Sequence, residues 1–177
     1  MSEQPRQRRI DRILEPSYVE GLGEADLEAL RAKRDECLAE REYLSLLRRL
    51  LQGRAEILKA ELESRGGDAE MPALVDRLAT ILADDEHPVT SRGELVRVAL
   101  PEEELLLARR RVERLANDVG LSDIGNLDDD ALAAAIGQLG TEEEGISTSR
   151  RDVIAALDGV QDELKRRYKD DPTLALR

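Results

Sequence analysis

From Glu24 to Ser64 the chain carries no proline and a single glycine, Gly53. Over that stretch Leu30, Cys37, Leu44, Leu51 and Leu58 recur every seven residues. A second row, Leu27, Arg34, Arg41, Arg48, Ala55 and Leu62, is interleaved with the first. The alternating spacing of three and four is that of a helical seam. Three arginines nevertheless stand in the middle of the second row, where a seam normally wants apolar side chains. Gly66-Gly67 is expected to end this helix. Pro72 then opens a shorter helix with Leu74, Leu78, Ile81 and Leu82 on one side. Residues 84–100 read as a loop, with Leu95–Leu100 a short strand or an extended link. Pro101 opens a helix bearing Leu105, Val112 and Leu115 that ends near Gly120. An Ala-rich helix over Asp128–Leu139 is expected to break or kink at Gly140. Thr141 and Glu144 are spaced as a capping box for a last long helix. Its seam runs Ile146, Arg150, Val153, Leu157, Val160 and Leu164.

These elements predict an all-α fold. Long helices over 24–65 and 141–169 form an elongated antiparallel helical hairpin or coiled coil, and shorter helices within 71–139 pack at one end. The antiparallel sense rests on the long intervening segment, which lets the chain return; parallel pairing stays open. Residues 24–169 then make one helical domain. Residues 1–23, with Pro5, Pro16, Gly21 and Gly23 as breakers, read as a flexible arm, and 170–177 as a tail.

Composition sharpens this picture. In 177 residues there are three Tyr and no Phe or Trp, so the core must be built from Leu, Ile, Val and Ala, as in bundles and coiled coils. The net charge of −12 argues against direct binding to nucleic acid or to an anionic membrane. A single cysteine, Cys37, excludes an intrachain disulfide framework and fits a cytoplasmic protein. No apolar run approaches a membrane span. The basic residues Arg6, Arg8 and Arg9 are not followed by the apolar region of a signal peptide.

The arginine-bearing rows hold a repeated constellation. Arg41, Ser45, Arg48, Gln52 and Glu56 are spaced four, three, four and four, and so are Glu143, Ser147, Arg150, Ile154 and Asp158. At 3.6 residues per turn, each set falls within about 80° of one helical face. An arginine fork can bind the O6/N7 edge of guanine or stack on its ring. A carboxylate accepts from guanine N1–H and N2–H, and serine and arginine can take phosphate oxygens. Two such faces would read a ligand with two guanines without a glycine-rich loop. Taken alone, the same rows also read as a solvated face laced with ion pairs.

The spacing resembles the E-x3-S-x2-R-x3-Q-x3-D motif of the RsiG family, the cyclic-di-GMP-dependent anti-sigma factors of streptomycetes and related actinobacteria. The set beginning at Glu143 matches four of its five positions, with Ile154 in place of Gln. The set beginning at Arg41 matches Ser, Arg and Gln, with Glu56 for Asp and Arg41 for Glu. The resemblance implies a chain that binds cyclic-di-GMP between its two long helices. So loaded, it would sequester an RNA polymerase sigma factor of the flagellar or sporulation type. The ligand would be the only small molecule, with no cofactor and no metal.

Nothing in the sequence assembles an enzyme. His87, the only histidine, lies in the loop beside Glu86 and Pro88 with no convergent partner. Cys37 sits in the apolar row as a small core residue. Asp128-Asp129-Asp130 lies at a helix start, where carboxylates favour the dipole, and lacks the glycine and distal glutamate of a calcium loop. The same dipole argument gives Glu143, with Glu142 and Glu144, a structural role beside the functional one. The other class of function that fits is a ligand-independent coiled-coil adaptor.

Overall fold

The computed structural model describes residues 8–67, 71–83, 99–118 and 121–176. The described residues form six α-helices: α1 (Arg9–Ile13), α2 (Pro16–Val19), α3 (Leu27–Gly66), α4 (Met71–Ala83), α5 (Glu102–Asp118) and α6 (Asp129–Asp170). Single 3₁₀ segments follow α5 and α6, at Leu121–Asn126 and Pro172–Leu176. No strand occurs among the described residues, and the fold is all-α. Most of the expected link over 84–100, with His87, lies outside them. Two compact units divide the chain. A terminal unit combines Met1–Glu42 with Ser149–Arg177, and a middle unit spans Tyr43–Thr148. The helices α3 and α6 run through both.

Caps set the starts of the long helices. The Asp26 carboxylate accepts the Ala29 N–H at 2.7 Å, and the Asp128 carboxylate accepts the Ala131 N–H at 2.8 Å. Each satisfies a backbone donor that the first helical turn leaves orphaned.

In the middle unit α3 and α6 pack antiparallel: Gln52 meets Glu143, and further along α3 Arg65 meets Asp129. Leu44, Leu51 and Leu58 of α3 and Leu132, Leu139 and Ile146 of α6 are buried here. Each buried Leu or Ile contributes about 1.5–3 kcal/mol through removal from water. α4 is joined to α3 by Arg77, which pairs with Glu56 and Glu63. α5 buries Ala108, Val112 and Ala116, and its Glu113 pairs with Arg54 at 3.2 Å.

In the terminal unit Leu30 and Cys37 of α3 are buried, as are Val153, Leu157, Val160 and Leu164 of α6. The span read as an arm differs from expectation, because it contains α1 and α2. Ile13 and Tyr18 are buried. Arg9 Nε pairs with the buried Glu40 at 2.6 Å, and Arg12 pairs with Glu36. Tyr18 OH donates to the Lys33 carbonyl or to Glu36, both at 3.0 Å, while Lys33 Nζ lies 3.8 Å from the Tyr18 ring centroid and donates to the Tyr18 carbonyl. Helices of five and four residues do not persist on propensity alone, so these tertiary contacts are their stabilisation.

The last long helix also begins earlier than 141. The Ala-rich segment and the final seam are one helix, uninterrupted at Gly140. A glycine in a helix interior costs only about 1 kcal/mol relative to alanine. Against that stands a row of period seven, Leu132, Leu139, Ile146, Val153 and Val160, buried at every step. Thr141 accordingly caps nothing: its hydroxyl donates back to the Gly137 carbonyl at 3.1 Å, as a threonine inside a helix does.

Candidate functional site

The position of Gly140 inside α6 changes the meaning of Glu143. More than ten residues from the start of its helix, it has no dipole to serve. Its carboxylate instead gathers side chains from both constellations. Gln52 Nε2 of α3 donates to Glu143 Oε1 at 3.0 Å, and Ser147 Oγ of α6 donates to the same oxygen at 2.9 Å. The glutamine of one set is thereby joined to the glutamate and serine of the other. All three belong to the middle unit.

Gln52, Glu56 and Glu143 also line one cleft of about 400 Å³ in that unit. Leu51 and Ala55 from α3 and Leu139 from α6 give it apolar walls, and Thr80 and Ile81 of α4 close another side. A cavity of this size, with apolar side chains beside Gln52, Glu56, Lys59, Thr80 and Glu143, has room for part of a small ligand, such as a planar base. At its rim Glu56 Oε1 pairs with Lys59 at 2.7 Å and Oε2 lies 3.2 Å from Arg77 Nε. Arg77 reaches Glu63 as well, NH1 at 3.3 Å and NH2 at 3.1 Å. That hydrogen bonding raises the guanidinium pKa above its ordinary value and lowers that of Glu63.

The remaining residues of the two sets are placed less uniformly. Ser45 is buried among the apolar residues of α3, only 2% exposed. Arg48 is half-buried, with its Nε shielded from solvent. In the terminal unit Arg41 turns to its chain neighbour Glu42, at 2.9 Å. Arg150 and Ile154 are half-buried there, and Asp158 is exposed. The structure therefore brings Gln52, Glu143 and Ser147 into one network, and Gln52, Glu56 and Glu143 into one cleft.

Sequence reasoning missed Lys59, Arg77, Thr80 and Ile81. Lys59 was signalled by its place one turn after Glu56, and Ile81 by the apolar side of α4. Arg77 carried no local signal, because its partners are 21 and 14 residues away in sequence. Cys37 is buried as expected, 3.6 Å from Tyr18 OH, and burial pushes its thiol pKa up. No group of histidine, cysteine and carboxylate side chains among the described residues is arranged to hold a metal. No described helix is long and apolar enough to cross a membrane.

No curated protein matches the chain. A family model does match, over residues 16–82, and the whole first constellation from Arg41 to Glu56 lies within that stretch. The family is described as RsiG-like, and residues 16–82 are what is similar to it.

Proposed function

We propose that the chain is an anti-sigma factor that binds cyclic-di-GMP through its paired constellations. Loaded with the nucleotide, it withholds a sigma factor of the flagellar or sporulation type from RNA polymerase. The observation that carries this reading is the meeting of Gln52, Glu143 and Ser147, members of two copies of the same motif on two helices, beside a cleft in the middle unit. The match over residues 16–82 supports the regulatory class and implies the sigma partner.

The chemistry follows from the residue types. Glu56, at the mouth of the cleft, can accept the N1–H and N2–H of a guanine. Arg48 and Arg150 can bind the O6/N7 edge, stack on the ring or neutralise a phosphate. Gln52 and Ser147, already oriented by Glu143, offer a carbonyl and a hydroxyl to the sugar–phosphate edge. Asp158, the counterpart of Glu56 in the second set, can take the donors of a second base.

Calorimetric titration with cyclic-di-GMP, on the free protein and on its mixture with the sigma factor, tests the reading. Saturable heat is expected. Silence at about 100 μM nucleotide in both titrations would leave a ligand-independent adaptor instead.

A further inference from the structure

The cleft has one wall outside the paired constellations. Thr80 and Ile81 of α4 line it, and one turn earlier on α4 Arg77 reaches across to Glu56. We infer that α4 is a third wall of the guanine site, with Ile81 packing on the base and Arg77 occupying Glu56 until the base displaces it. The inference rests on the proposed binding of cyclic-di-GMP and adds residues to that site.

Three observations point this way. First, both oxygens of Glu56 are engaged by cations, Lys59 on Oε1 and Arg77 on Oε2. A guanine edge needs both oxygens at once, because it presents two N–H donors side by side. Base and Arg77 therefore compete. Second, the competition is a mild one. Arg77 Nε faces Glu56 Oε2 at 3.2 Å without a hydrogen bond, and the Arg77 and Lys59 side chains are 38% and 46% exposed against 14% for Glu56, so both pairs are partly screened. Third, Arg77 has somewhere to stay. Glu63 holds its two terminal nitrogens, so ceding Glu56 leaves the guanidinium paired and α4 still attached to α3. Ile81 then faces a base whose other contacts are Leu51, Ala55 and Leu139, an apolar sandwich with polar groups at its edge.

The test is a set of cyclic-di-GMP titrations of the full chain with the sigma factor present, comparing wild type with Arg77→Gln, Glu63→Gln and Ile81→Ala. Circular dichroism confirms an unchanged helix content in each. Removing the competitor in Arg77→Gln should tighten binding about two- to fivefold. Weakening its resting place in Glu63→Gln should commit Arg77 more firmly to Glu56 and loosen binding by a similar factor. Ile81→Ala should loosen it about tenfold through lost packing on the base. A purely structural α4 would move Arg77→Gln and Glu63→Gln in the same direction, and that result overturns the inference. Wild-type affinity in Ile81→Ala overturns it too. Absence of cyclic-di-GMP binding in the wild type is a different failure, because it removes the proposed function itself and this wall with it.

Discussion

Glu143 shows how one side chain can change role with its surroundings. Beside a helix start it would be one of three dipole-stabilising carboxylates, whereas in the interior of α6 it accepts from Gln52 and Ser147. A double-mutant cycle between Gln52→Ala and Glu143→Ala should return a coupling of roughly 0.5–1.5 kcal/mol in chemical denaturation, the net range of an ordinary intramolecular hydrogen bond. Zero coupling would mean that the two residues do not meet in solution. The arginines are tested by ligand affinity instead. Arg48→Ala and Arg150→Ala should keep their helices, because alanine is the best helix former. Each should lose about 1.5–3 kcal/mol of cyclic-di-GMP binding, a ten- to hundredfold weakening by calorimetry. Unchanged affinity in both would place the ligand on another face.

Element by element, the seams were the most legible part of the sequence. All five members of the row Leu30, Cys37, Leu44, Leu51 and Leu58 are buried, as are Ile146, Val153, Leu157, Val160 and Leu164. Repetition at period seven reports burial directly, because the same helical face returns every two turns. Gly140 misled because glycine is a local signal, and the long-range one was overlooked: Leu132 and Leu139 continue the Ile146 row backwards in register. Since a Cβ at Gly140 would meet nothing within 4 Å and the residue is exposed, Gly140→Ala should stabilise the protein by about 0.5–1 kcal/mol. A loss of stability on that change would argue for a break at this position. The helices α1 and α2 were hidden for a different reason. They carry no periodicity of their own, and only their docking through Arg9, Arg12 and Tyr18 makes them helical.

The end of α6 carries a pH-dependent tie of the same element-level kind. Glu163 accepts from both Arg166 and Arg167, and those hydrogen bonds lower its carboxyl pKa to about 2 from the ordinary 4.5. Arg167, so oriented, donates to the carbonyls of Leu22 and Gly23 in the link between α2 and α3. A carboxyl with a depressed folded-state pKa stabilises the fold fully above its unfolded value and loses that contribution as pH falls. Glu163→Gln should therefore lower the melting temperature at pH 7, and the gap from wild type should close as pH falls from about 4.5 towards 2. A gap independent of pH would show that the carboxylate charge contributes nothing.

At the scale of the whole molecule, composition excluded more than it chose. The scarcity of aromatics, with no Phe or Trp, pointed to a helical protein, and the described helices bear that out. The third wall of the cleft could not be read, because α4 meets Glu56 only through tertiary packing. What remains to be tested at this scale is regulation. Arg34, Arg41 and Arg48 interrupt a seam row of α3 and Arg150 interrupts that of α6, so both seams carry positive charge where packing would favour none. A ligand with two phosphates neutralises that charge and supplies flat rings, which should order the helices it touches. If the sigma factor docks on helices so ordered, nucleotide and sigma factor must strengthen each other's binding by one and the same factor, because coupling free energy is reciprocal. Sigma binding should then be weak without cyclic-di-GMP and tight with it, and the nucleotide's own affinity should rise equally when sigma factor is present. Thermal stability of the free protein should also rise with nucleotide concentration, as it does for any ligand that prefers the folded state. Equal sigma affinity with and without the nucleotide would leave two independent binding events on one scaffold, and the chain would carry a ligand site that switches nothing.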